Sequence, residues 1–202
     1  MTSPEECVDP GSFGVDADGG IYPLPHLTWR KVATSGMATI RRTFALTGNQ
    51  AQDLATLRCS WTNTAPIPQR VYALLTRGST TVTTCPRNHV YIETFYGSAS
   101  GAAPADPSAE TWVGRTGNGA YRGVYSGITL QANWQTRLGQ RTFGLGASSV
   151  IAPGATIKYA VRLRYDGWQW ETTAVFGGSA EMEMSIDTGA TQIDIFALPE
   201  WA

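Results

Sequence analysis

The chain has 202 residues, enough for one large β domain whose folding removes roughly 70 % of the unfolded surface from water. Its 15 Lys plus Arg against 16 Asp plus Glu leave a net charge of −1, which argues against a polyanion as the main partner, so no nucleic acid is expected. No apolar run approaches the roughly 18 residues of a spanning helix, and residues 1–10 carry acids where a signal peptide has basic and apolar residues, so the expectation is no membrane insertion and synthesis in the cytoplasm.

Cys7, Cys59 and Cys85 are too few and too scattered for a disulfide scaffold or a metal knuckle, and free thiols are expected. Glycine (22) and threonine (25) are abundant and lysine is confined to Lys31 and Lys158, the composition of a turn-rich β protein. Residues 1–26 mix acids, prolines and glycines without a period and read as an extended N-terminal arm. Two β-rich runs, 27–34 and 37–46, meet at Ser35-Gly36, which predicts a hairpin turn. In 57–62, alternation places Leu57, Cys59 and Trp61 on a core-facing side. Pro66 and Pro68 stop that strand, and 71–76 restarts as another that Gly78 ends.

A strand over 89–96 alternates so that either face could be the buried one, and Tyr91 and Phe95 are expected at a partly exposed surface. Residues 98–110, with two prolines and no hydrophobic anchor, predict a mobile surface loop. Short β-rich pieces follow at 111–115, 120–125 and 128–135, then a glycine-rich link through Gly144, Gly146 and Pro153-Gly154. The plainest strand is 156–165, with Ile157, Tyr159, Val161, Leu163 and Tyr165 alternating against Lys158, Ala160, Arg162 and Arg164, and a turn is expected at Asp166-Gly167. Residues 182–186 and 193–197 form a closing hairpin around Thr188-Gly189. About nine or ten such strands predict an all-β, antiparallel β-sandwich of jelly-roll-like form with long loops, residues 27–202 being its single domain.

Chemistry-bearing motifs are sparse. Asp16-Ala17-Asp18-Gly19 opens like a calcium loop, but the twelfth position is Leu27 rather than a bidentate Glu, so no metal site is expected. His26 and His89 have no ligand partner at metal spacing, and Cys59 reads as a small core hydrophobe. Glu181 and Glu183 share one strand face without a third polar partner and read as solvated charges. No nucleophile elbow or phosphate loop is present, so the expectation is no catalytic residue and no cofactor. Trp168 and Trp170, with Trp112 and Trp134, are the candidate surface for a partner protein or a host-surface glycan, because indole rings pack on subunits and stack on sugars. Arginine outnumbers lysine 13 to 2, a bias that suits interfaces.

Several blocks carry a likeness: Trp61-Thr62-Asn63-Thr64, residues 71–78 (VYALLTRG), Ala152-Pro153-Gly154 and residues 188–199 (TGATQIDIFALP). Together, over about residues 54–199, they resemble the small minor tail proteins of tailed phages that infect actinobacteria. The resemblance implies a non-enzymatic virion component of the tail or its tip, assembled in the host cytoplasm. Its partners would be other virion proteins and further copies of itself, a trimer being a common solution, and the family has no active-site residues to carry over. A capsid decoration or fibre protein, or a carbohydrate-binding module for the host envelope, are the alternatives.

Overall fold

The computed structural model describes residues 13–15, 21–23, 30–44, 50–84, 88–119, 134–169 and 184–200. These form β1 (Phe13–Val15), β2 (Ile21–Pro23), β3 (Arg30–Met37), β4 (Ile40–Phe44), β5 (Gln50–Thr62), β6 (Gln69–Arg77), β7 (Thr80–Thr84) and β8 (Asn88–Gly101). The remainder are β9 (Thr111–Gly119), β10 (Trp134–Leu138), β11 (Arg141–Gly144), β12 (Ser149–Ile151), β13 (Thr156–Gln169), β14 (Met184–Thr188) and β15 (Thr191–Pro199). The protein is all-β and antiparallel, as the composition predicts, with 15 strands among the described residues where the pattern suggests nine or ten.

One layer is a long sheet in the order β5-β13-β8-β9. Its central strand, β13, runs for 14 residues, about 46 Å at ~3.3 Å per residue. Alternation is kept strictly along it: Ile157, Tyr159, Val161, Leu163 and Tyr165 are each at most 1 % exposed on the inner face. The facing layer has the order β11-β6-β15-β3, with β12 also on β6. It contributes Val71, Ala73 and Leu75 from β6 and Ile193, Ile195 and Ala197 from β15 to the same buried cluster as Leu57, Cys59 and Ile92 of the long sheet. The two layers therefore make a sandwich, closed by apolar side chains from alternate positions of each strand.

The second layer continues into a further sheet, β10-β7-β14-β4, whose order matches β11-β6-β15-β3 strand for strand. Four chain segments thus run through both sheets and are interrupted at one level, at residues 38–39, 78–79, 139–140 and 189–190. Glycine makes the interruption possible. Gly78 N–H donates to Ala190 O at 2.8 Å, and a Cβ on Gly189 would fall on the backbone of Gly78 and Ser79.

Three expected turns are corrected. Ser35-Gly36 is not a hairpin turn, because β3 runs through it and pairs with β15, while β4 pairs with β14. Thr188-Gly189 is not a reversal: β14 and β15 follow one another along the same layer. Asp166-Gly167 is likewise inside β13, held between Ala51-Gln50 of β5 and Tyr91-Val90 of β8. At Asp166-Gly167 the local turn signal yields to pairing on both sides, which satisfies the backbone donors and acceptors that a turn would leave to solvent, whereas Ser35-Gly36 is held by β15 on one side.

The predicted mobile loop is also corrected. Residues 98–101 complete β8, and residues 102–110 form a strap laid across the outer face of the long sheet. Small residues make its bed: Gly97 is opposite Ala160, and Ala99 is opposite Lys158. A Cβ on Gly97 would collide with Ser108 O, and the strap leaves Ala109 7 % and Ala160 1 % exposed. The glycine-rich link contains β11 and β12, both paired with β6.

Within the segment read as an arm, β1 and β2 pair as an antiparallel hairpin. Cys7, the Asp16 turn, His26, Cys85, the 120–125 piece, Trp170, Glu181 and Glu183 lie outside the described residues. Asn63 locks one end of the sandwich. Its fully buried amide donates to Ile67 O and Ile151 O, both at 2.9 Å, and its Oδ1 accepts from Ala65 N–H at 3.0 Å. Gly154 N–H donates to Asn63 O, so two of the blocks that carry the family likeness meet here as a packed corner.

Candidate functional site

Of the four tryptophans, the three among the described residues are on different strands. Trp112 is on the edge strand β9 opposite Phe95, and it is 59 % exposed, the most exposed large hydrophobic among the described residues. Trp168 pairs with His89, six rungs further along β8, so roughly 20 Å of strand separates the two levels. Trp134 is on β10 opposite Thr84, in the continuing sheet. The backbone levels of Trp112 and Trp168 are thus well separated.

What the structure does assemble on the outer face of the long sheet is a ladder of ion pairs. Arg115 Nη2 is 2.8 Å from both Glu93 Oε1 and Asp166 Oδ2, and its guanidinium lies 4.5 Å from the Tyr91 ring centroid. Arg162 is stacked over Phe95 at 4.8 Å and reaches Glu110 at 3.2 Å and Asp53 at 3.7 Å. Tyr91 and Phe95 are half-buried, as expected, because the arginines cover them. At the strap, Lys158 Nζ donates to Asp106 Oδ1 at 2.8 Å, with Arg58 3.9 Å from the same carboxylate. The Lys158 hydrogen bond and charge hold the Asp106 carboxyl below its ordinary value. Alternation sets Lys158 and Arg162 against the apolar row of their strand, but their partners come from strands and a loop far away in sequence, which no local pattern encodes.

A groove of about 660 Å³ crosses the other face at the strand interruptions, lined by Met37, Thr76, Gly78, Gln140, Gln192 and Asp194 among others. Burial pushes the Asp194 carboxyl up, but hydrogen bonds from Thr34, Gln192 and Lys31 outweigh it and hold the group below its ordinary value. Asp194 is therefore a braced anion and a poor general base. Cys59 is buried with its thiol pushed up by burial and then by Asp194, which disfavours the nucleophilic thiolate. Among the described residues no three His, Cys, Asp or Glu side chains group to hold a metal ion.

On the inner side of the same line, the row Val71, Ala73, Leu75 ends in Arg77, which is 0 % exposed. Burial first, and then the like charge of Arg141, pull its guanidinium down to about 10. Thr80, Thr188 and Thr191 are at most 1 % exposed around this level, and the sequence pattern, which marks β6 only by its apolar positions, does not single out Arg77.

Among solved structures, the chain is similar to a chain of infectious bursal disease virus, Gt strain, at 12% identity and a TM-score of 0.29, over 94% of this chain and 42% of that one. A chain of the Gx strain of that virus matches at 10% identity and a TM-score of 0.20, over 93% and 46%. This protein thus spans less than half the length of either. No curated protein matches the sequence. One family model matches residues 2–202, and the chain belongs to the family described as Domain of unknown function (DUF7172).

Proposed function

We propose that the protein is a non-enzymatic structural component of a tailed-phage virion, a minor tail or tail-tip protein that acts through protein-protein contacts as a homo-oligomer among other virion proteins. The observation that supports this best is the outer face of the long sheet. Its charged side chains are tied to one another and to the strap, so they brace a wide, stiff surface, and at its edge stands the exposed indole of Trp112. A rigid face with an unpaired aromatic anchor is the anatomy of a protein contact, where indoles supply a large share of the binding energy. The resemblance of residues 61–64, 71–78, 152–154 and 188–199 to phage minor tail proteins supplies the virion.

Quantitative mass spectrometry of purified phage particles carrying this protein tests the reading. Detection at a fixed, low copy number relative to the major capsid protein is the expected result. A copy number matching the capsid lattice would move the protein to capsid decoration. Absence from washed particles would overturn the virion reading and bring forward glycan binding, for which saturable binding to host cell-wall polysaccharide, lost on Trp112→Ala, is the corresponding test.

A further inference from the structure

Arg77 is a buried charge without a counter-charge. Among the described residues none of its Nε, Nη1 and Nη2 atoms has a hydrogen-bond partner, and the charged neighbour that acts on it, Arg141, has the same sign. Its one favourable contact is with the face of Phe143, 5.9 Å from the ring centroid. A cation–π contact at that distance does not offset removal of a guanidinium from water, which costs several kcal/mol when nothing neutralises it. Deprotonation does not solve the problem near neutral pH, since the group still titrates at about 10.

Two further buried hydroxyls are orphaned among the described residues. The hydroxyls of Thr80 and Thr94 are buried and have no partner, and both residues are 0 % exposed. Thr80 begins β7, three residues beyond Arg77 across the interruption. Thr94 is reached from the other side. Gly114, its partner on β9, has no side chain, and Phe143 fills that space, a Cβ there lying 3.3 Å from the ring. Phe143 therefore spans from the Arg77 guanidinium to the Thr94–Gly114 rung.

We infer that the interior at the strand interruption is a binding site for one small monovalent inorganic anion of the halide class, held by the fully buried Arg77 guanidinium. One buried arginine matches one negative charge, and complete enclosure favours an ion without a large hydration shell. Such an ion stabilises the fold by mass action, because the unfolded chain has no equivalent site.

The test is thermal unfolding of the full chain at constant ionic strength, with sodium chloride replaced stepwise by sodium gluconate. The wild type is expected to gain roughly 3–6 °C in midpoint, saturably, as chloride rises. Arg77→Met removes the charge while keeping an unbranched apolar side chain, so it should lose the chloride response and unfold no earlier than the wild type in gluconate. Equal wild-type midpoints in the two salts, or an undiminished response in Arg77→Met, would overturn the site. Crystals of the wild type soaked in sodium bromide decide independently of any variant's folding: an anomalous peak within hydrogen-bonding distance of the Arg77 guanidinium supports it, and an empty position there sinks it.

Discussion

The inner rows of β13 and β6 begin alike and end differently. Each alternates apolar residues into the same core, but β13 continues past Tyr165 to Gln169, whereas β6 reaches Arg77 and is interrupted at Gly78. The long sheet gains a strap and a ladder of ion pairs across its outer face. The opposite layer gains a groove outside and a buried polar belt inside at a single level. One sheet is thus built for stiffness and the other divided at a line, and the difference arises from a few glycines rather than from hydrophobic content.

The largest effects test that contrast in the core. Leu163→Ala in β13 and Leu75→Ala in β6 each remove a side chain that is 0 % exposed, and about 2–5 kcal/mol is expected for each. The loss should be greater at Leu163, because the uninterrupted sheet has less freedom to collapse on the cavity. Urea unfolding with unchanged m-values measures both. Equal losses would mean that the interruption gives the second layer no extra freedom.

Asn63→Ala comes next, at about 3 kcal/mol, since it leaves one buried carbonyl, one partly buried carbonyl and one buried N–H without this partner. The same unfolding assay reads it, and a loss below about 0.5 kcal/mol would mean that water replaces the amide at this corner.

How much of this was legible from sequence depends on the range of the interaction. Period-two alternation placed Leu57, Cys59, Ile157 and Leu163 inward, because a strand's facing is a local property. Ser35-Gly36, Asp166-Gly167 and Thr188-Gly189 misled, because the same dipeptides serve a reversal or a straight strand according to which neighbours pair with them. The strap misled for a related reason: alanines and prolines look unanchored until Gly97 and Ala160 supply a bed for them from elsewhere in the chain. Of the candidate site, Trp112 is an exposed indole, but its separation from Trp168 is a matter of register, and Arg77 stands out only for what fails to surround it.

Gly97→Ala examines the strap directly. The new methyl group strikes Ser108 O, so either the strap lifts or the rung between β8 and β13 shifts, at a cost of about 1–3 kcal/mol. Limited proteolysis separates the two: cleavage within 102–110 that the wild type resists means a lifted strap, and resistance with a lowered unfolding midpoint means a displaced rung.

Alkaline pH probes the long sheet's interior. Burial, and then Tyr96, push the Tyr159 phenol up to about 12 from an ordinary value near 10. Because the folded value is raised, the stability it contributes is complete below pH 10 and is lost as pH rises toward 12. Tyr159→Phe should flatten that part of the stability curve while leaving the neutral region little changed, as measured by denaturant titration from pH 8 to 12.

The smallest effect is expected at Asp106, an exposed carboxylate whose value is lowered by the Lys158 hydrogen bond and charge. With a lowered folded value, its contribution is present above the ordinary carboxylate range and disappears as pH falls through the folded value. Asp106→Asn should therefore leave the global midpoint nearly unchanged, since solvent screens exposed pairs. It should instead speed hydrogen exchange in the strap at pH 7 and remove the acid dependence of that exchange. If the variant's strap exchanges no faster than the wild type's, the ion pair merely decorates a segment that Ala109 and the Gly97 bed already hold, and the stiffness of this face comes from close packing rather than from charge.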